Sequence, residues 1–221
     1  MVDRRAAGEP LEHVLGWAEF CGLRITVAPG VFVPRRRTEF LVAQAVGLAR
    51  PGEVIVDLCC GAGAIGAALA AAVDRAQVHA ADIDPAAVRC ARQNITGPRG
   101  HVYTGDLYEP LPAGLHGQVG ILVANVPYVP TGEIGFLPPE ARTHEPLAAL
   151  DGGADGLDLL RRVAAGASRW LTRGGHLLIE TSERQVTAAG AAFAASGLTT
   201  RVARSGDLDA TVIVGWFRPD R

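Results

Sequence analysis

Long apolar runs are missing from this 221-residue sequence, and so are paired cysteines, a secretory leader pattern and low-complexity tracts. No stretch approaches the roughly 20 apolar residues that a membrane-spanning helix needs. The opening MVDRRAAGEP is polar from its first residues, so no signal peptide is expected there. The four cysteines, Cys21, Cys59, Cys60 and Cys90, form no CxxC pair. They offer neither a zinc spacing nor a disulfide framework, and they read as reduced intracellular thiols. His13, His101, His144 and His176 show no ligand spacing either, so no metal is expected. Charge of one sign is not in excess: the net charge is −2, and Arg35-Arg36-Arg37 is the sole dense basic cluster. General attraction to nucleic acid or to an acidic membrane is therefore not implied. A cytoplasmic protein without nucleic-acid or membrane partners is the expectation.

What the sequence does have is alternation. The hydrophobic share is 48%, enough for a sizeable core in one domain. After a short helix and a few extended pieces, residues 38–49 suit one helical face, with Thr38 as a candidate cap. VIVDL (54–58), QVHAAD (77–82), HVYTGD (101–106), VGILVAN (119–125) and HLLIET (176–181) read as strands. Helical stretches separate most of them, and Gly174-Gly175 is expected to stop the helix over 158–171. Strands alternating with helices predict a largely parallel sheet covered on both faces. The last two strands are joined only by SGDLD (205–209), too short for a parallel crossover, so an antiparallel pair is expected. The domain reading is a short extension over 1–34 followed by one catalytic-type α/β domain over 35–221.

DLCCGAGAIG (57–66) joins the first of these strands to its helix, and Gly61, Gly63 and Gly66 spell GxGxxG. Asp82 follows 21 residues after Gly61, at the next strand's end. Glycines let a backbone pass close to a ligand, and a carboxylate so placed can hold both ribose hydroxyls. NAD and S-adenosylmethionine both use this arrangement. Asp57 favours S-adenosylmethionine, because a carboxylate there can organise the loop around a cationic amino acid end. A dinucleotide would instead set pyrophosphate at the helix N-terminus, where a carboxylate is less welcome. Asp106 is placed either to approach an adenine or to serve as a turn residue ahead of Pro110.

Asn125 ends the strand expected beside the first, and NVPY (125–128) follows. Ligands of open α/β sheets bind outside the carboxyl ends of the strands. The tetrapeptide resembles the (N/D)PPY signature of class I methyltransferases that act on planar nitrogens. With GEPLEHVLGWAEFCG, GVFVPRRRTEFLV, DLCCGAGAIG, ADIDPAAVRCARQN, GDLYEPL, HEPLAALDGGADGL and GGHLLIE in order, the chain resembles bacterial protein-(glutamine-N5) methyltransferases of the release-factor type. The resemblance implies a Rossmann-like class I S-adenosylmethionine-dependent fold, a mostly parallel seven-stranded sheet with an antiparallel last strand. It implies S-adenosyl-L-methionine held near Phe32, Arg35, Asp57, Cys59, Cys60, Gly61, Ala62, Gly63, Asp82, Ile83, Asp106, Leu107 and Asn125. Arg35 reads equally as a surface charge. Glu180 matches a family carboxylate, or is a plain strand-end cap.

Asn125, Val126, Pro127 and Tyr128 then form the catalytic group. The Asn125 side-chain oxygen and the Val126 carbonyl can each accept one N–H of a primary amide, and the Tyr128 ring can pack on the amide plane. The acceptor is expected to be a glutamine in a protein. A small molecule or nucleobase is the alternative, and a non-catalytic S-adenosylmethionine-binding protein is a further one.

Four departures from the family pattern stand out. The separate N-terminal helical domain that helps dock the release factor has no counterpart in these residues. Val126 replaces the first proline of the signature, and lying before Pro127 it is held extended. Cys59 and Cys60 stand where the family prefers Gly and Thr, and ordinary backbone angles are expected at Cys59. Arg36-Arg37 replaces Pro-Glu. Beyond these departures, the link from Asn125 to Asp155 has no long regular element, and a loop of that length is expected to close over the substrate.

Overall fold

The computed structural model describes residues 1–218. Two short helices, α1 (Val2–Ala6) and α2 (Leu11–Leu15), precede a hairpin of β1 (Trp17–Phe20) and β2 (Leu23–Thr26). Phe20, Ile25, Val27, Val31 and Val33 from this stretch are buried in the same core as the main sheet. Asn94 helps fasten the hairpin there: its side chain bonds the backbone of Thr26 through both its oxygen and its nitrogen, and donates to the Ala62 carbonyl at 2.8 Å.

Helix α3 (Glu39–Val46) follows a single 3-10 turn over Arg36–Thr38. Then come β3 (Val54–Leu58), α4 (Ala64–Ala72), β4 (Gln77–Asp82), α5 (Pro85–Asn94), β5 (Gly100–Thr104) and β6 (Val119–Ala124). After the short α6 (Pro139–His144) the chain runs through α7 (Asp158–Trp170), β7 (Leu171–Thr181), α8 (Val186–Ala195), β8 (Thr199–Ser205) and β9 (Ala210–Trp216). The seven-stranded sheet has the order β5-β4-β3-β6-β7-β9-β8. Strands β3 to β7 are parallel, while β9 pairs antiparallel with both β7 and β8. Every residue of β6 is buried, as a central parallel strand covered on both faces requires.

Local chemistry sets the elements. In α5, Asp84 caps the N-terminus by accepting the Ala86 N–H at 2.7 Å, and Pro85 sits in the first turn. In α7, Leu160, Val163, Ala164, Ala167 and Trp170 turn inward at helical spacing.

Two expectations change here. Helix α7 ends at Trp170 and β7 begins at once, so Gly174-Gly175 is not the helix stop. It lies inside β7, where the register against β6 shifts between Val119 and Ile121. Gly174 has φ +77°, and a Cβ on Gly175 would stand 2.7 Å from the Val119 carbonyl, so the irregularity needs both glycines. Thr38 does not cap α3 with its side chain; its hydroxyl is used at the site described below.

Candidate active site

The carboxyl ends of β3, β4, β5 and β6 open into a cleft of about 1260 Å³. The segments around Phe32–Thr38 and Leu137–Gly153 form its other walls. On the β3 side the chain turns immediately after Leu58. The Cys60 N–H donates to the Ala81 carbonyl of β4 at 3.1 Å, and the Gly63 N–H donates back to the Cys60 carbonyl at 2.7 Å. That turn puts Cys59 at φ +54°, Gly61 at +55° and Gly63 at +79°. The ordinary angles expected at Cys59 are thus not found: it is left-handed, a conformation that a residue with a Cβ adopts at a cost of about 1 kcal/mol. A Cβ on Gly61 would meet nothing within 4 Å, so the loop backbone faces open cleft there.

Two carboxylates tie this loop down. Asp82 accepts the Gly61 N–H at 2.8 Å with one oxygen and the Asp84 N–H at 2.9 Å with the other. Burial raises its pKa, against the pull of those N–H groups. Asp57 is fully buried beneath the loop and accepts the Gly66 N–H at 2.9 Å, while its second oxygen has no partner among the described residues. Desolvation pushes its pKa up to about 7, opposed by the Gly66 N–H and helped by Asp82. Across the cleft, Asp106 takes the Arg162 guanidinium at 2.6 Å.

Asn125 leaves β6 directly into the cleft. Its side-chain N–H points to the Thr38 hydroxyl at 3.4 Å, which turns the amide oxygen the other way. That oxygen, Oδ1, is buried and has no hydrogen-bond partner among the described residues. Val126 is buried and Tyr128 half-buried. The Arg37 guanidinium bonds the Tyr128 hydroxyl, stands 5.6 Å from the ring centre, and donates from Nε to Glu180 at 3.0 Å. Burial raises the Tyr128 pKa, and Arg37 opposes it.

The long link after Asn125 holds no helix longer than the six residues of α6. It returns to the signature: the Val129 N–H donates to Leu150 and the Gly152 N–H donates to Val129; from beyond β7, Gln185 Nε2 donates to the Tyr128 carbonyl at 2.9 Å. A Cβ on Gly156 would collide with that same carbonyl, so only glycine lets the segment pack so closely. Glu145 anchors the link on the opposite wall. Arg35 lies 2.5 and 2.6 Å from its two oxygens, and Arg35 is stacked 4.9 Å from the centre of the Phe32 ring.

Of the residues expected from sequence, the cleft gathers Phe32, Arg35, Cys59 to Ala62, Asp82, Ile83, Asp106, Leu107 and Asn125 to Tyr128. Asp57 and Gly63 do not line it; they shape the loop from beneath. Thr38 and Glu145 line it as well, and neither is a site residue by sequence reasoning. Glu145 lies within the HEPLAALDGG segment that carries the resemblance, and that is its only signal.

This strand order, with a glycine loop after β3, a carboxylate at the end of β4 and NVPY after β6, defines a class I S-adenosylmethionine-dependent methyltransferase fold. Residues 22–134 match the family model of the methyltransferase small domain. A release factor glutamine methyltransferase of Streptomyces coelicolor is 44% identical over 84% of this chain and 67% of its own length. A 4-amino-L-phenylalanine/4-methylamino-L-phenylalanine methyltransferase of Streptomyces pristinaespiralis is 38% identical over 89% of this chain and 69% of its own. Among solved structures, a protein-(glutamine-N5) methyltransferase of Alicyclobacillus acidocaldarius superposes with a TM-score of 0.52 at 24% identity, covering 85% of this chain and 95% of that one. The chain belongs to the release factor glutamine methyltransferase family, and it spans about two thirds of the length of the curated relatives it matches.

Proposed function

We propose that this methyltransferase uses S-adenosyl-L-methionine to methylate the side-chain amide nitrogen of a glutamine in a protein substrate. The observation that carries the reading is the orphaned Asn125 Oδ1. A buried acceptor left unpaired costs about 1–3 kcal/mol, and a primary amide N–H aimed into the cleft removes that cost. Thr38 fixes which way the Asn125 amide faces, so the acceptor is preorganised. The Val126 carbonyl supplies a second acceptor, and the Tyr128 ring, held by Arg37, walls the amide plane.

The cofactor's residues fit its chemistry. Gly61 exposes backbone to the cleft, Asp82 offers carboxylate oxygens suited to ribose hydroxyls, and Ile83 and Leu107 offer apolar contact to a base. When bound, S-adenosyl-L-methionine supplies an electrophilic methyl group on a sulfonium. The amide nitrogen is a weak nucleophile because its lone pair is delocalised. Asn125 and Val126 orient its two N–H bonds and favour pyramidalisation, which points the lone pair along the attack line. No strong base is required, because the nitrogen becomes acidic as it takes the methyl group and releases a proton afterwards.

A second reading, a small aromatic amine as acceptor, is favoured by the relative from Streptomyces pristinaespiralis. The test is incubation with labelled S-adenosyl-L-methionine and, in parallel, a release factor, a glutamine-bearing peptide and 4-amino-L-phenylalanine. Label on glutamine nitrogen, mapped by mass spectrometry, is the expected result. Label on the amino acid alone overturns it.

A further inference from the structure

Beyond Tyr128 lies a second cavity of about 630 Å³. It shares Arg37, Tyr128, Val129 and Leu137 with the main cleft, so the Arg37–Tyr128 pair stands between the two. The end of β7 supplies its floor with Glu180 and Thr181, exposed by only 3% and 5%. Glu180 Oε2 and Thr181 Oγ1 are both buried and without a hydrogen-bond partner among the described residues.

Four carboxylates and two guanidiniums line the cavity. Arg37 is already engaged by Glu180 Oε1 and the Tyr128 hydroxyl, and Glu183 is engaged by Arg204. That leaves Glu133 and Asp209 at the mouth, exposed and in no direct ion pair among the described residues, with Asp209 also acting through space on Arg37, against Arg184, also exposed. Phe136, 87% exposed, stands at the same mouth. An apolar occupant would strand the floor oxygens, and an anion would meet carboxylates. A donor-rich cation is attracted by Glu133 and Asp209, can lie on the Phe136 ring, and brings donors to the floor where Glu180 and Thr181 keep unpaired oxygens.

We propose that this cavity is a subsite for a cationic side chain, guanidinium or ammonium, of a residue flanking the methylated glutamine. The proposal rests on the protein-glutamine reading, because an acceptor chain seated at Asn125 passes a neighbouring residue beyond Tyr128.

Two measurements test it. In the first, Nα-acetyl-arginine amide and its neutral isostere Nα-acetyl-citrulline amide are titrated against the full chain by ligand-observed NMR. The second compares KM for glutamine peptides carrying arginine or citrulline at each flanking position. Both use wild type and the double variant Glu133→Gln/Asp209→Asn, whose exposed sites spare the core. The arginine compounds should be preferred about tenfold by wild type, as charge-assisted hydrogen bonds predict, and within about threefold by the variant. No preference in wild type, or an undiminished one in the variant, overturns the subsite. If arginine amide binds selectively while no glutamine peptide is methylated, the subsite stands and the glutamine reading falls. If glutamine peptides are methylated with no arginine preference, the glutamine reading stands and the subsite falls.

Discussion

Arg35 and Glu145 are 110 residues apart in the chain, yet Arg35 Nη2 lies between the two Glu145 oxygens at 2.5 and 2.6 Å. Glu145 also accepts the Val33 N–H at 3.3 Å, and its side chain is 1% exposed. The pair joins the chain ahead of α3 to the link after the NVPY signature, in the wall of the cleft that both residues line.

Removing one member should loosen that closure. Glu145→Ala leaves Arg35 able to reach water, so no buried charge is stranded, but it leaves the buried Val33 N–H without its acceptor, and the expected loss is about 1–3 kcal/mol. Denaturant melts measure it. S-adenosyl-L-methionine should bind about tenfold more weakly by calorimetry, since Arg35 and Phe32 lose their anchor. Unchanged affinity would separate the pair from cofactor binding.

Thr38 matters through Asn125. Thr38→Val removes the acceptor for the Asn125 N–H and frees the amide to turn its oxygen away. Turnover should fall about tenfold with little change in cofactor affinity, whereas Thr38→Ser should retain most of it. Asn125→Ala removes the oxygen itself and should cost at least about 100-fold in kcat while S-adenosyl-L-methionine still binds. Near-normal turnover in Asn125→Ala would sink the proposed role.

Much of the fold is legible in the sequence because its signals are local or periodic. The apolar strands, the SGDLD link and the GxGxxG turn each carry their structure within a few residues, and together they specify the sheet and its antiparallel ending. Thr38 reads as a cap because a sequence shows neighbours only along the chain. Its actual partner, Asn125, is 87 residues away. Glu145 is silent for the same reason: nothing local reveals that Arg35 waits across the cleft. Gly174-Gly175 carries the same local signal whether it ends a helix or breaks a strand register, and only the pairing with β6 decides.

Asp57 predicts a pH dependence. Its folded pKa of about 7 lies above the ordinary 3.8, so the folded state holds this proton more tightly than the unfolded chain does. The group's contribution to stability is therefore full at acid pH and is lost as pH rises toward about 7, with a slope no steeper than about 1.4 kcal/mol per pH unit. Asp57→Asn keeps an oxygen for the Gly66 N–H and removes the titration. Urea melts between pH 4.5 and 8.5 should show the variant gaining on wild type up to about pH 7 and running parallel above it. Parallel curves throughout would mean that Asp57 titrates at its ordinary value.

Cys59 gives the most direct test of backbone strain in the cofactor loop. At φ +54° any residue with a Cβ is strained, and a β-branched one most of all. Its side chain also packs against the buried cluster that includes Leu58 and Leu107. Cys59→Gly relieves the strain and loses that packing, so stability should stay within about 1 kcal/mol of wild type. Cys59→Val adds bulk where the angle is least tolerated and should cost about 2 kcal/mol or more. The functional consequence follows from the bonds that hold the turn. If valine forces ordinary angles, the Cys60 N–H is pulled from Ala81 and the Gly61 N–H from Asp82, and S-adenosyl-L-methionine affinity should fall more than tenfold. Equal affinities for the glycine and valine variants would show that the left-handed turn at Cys59 is not what shapes the cofactor loop.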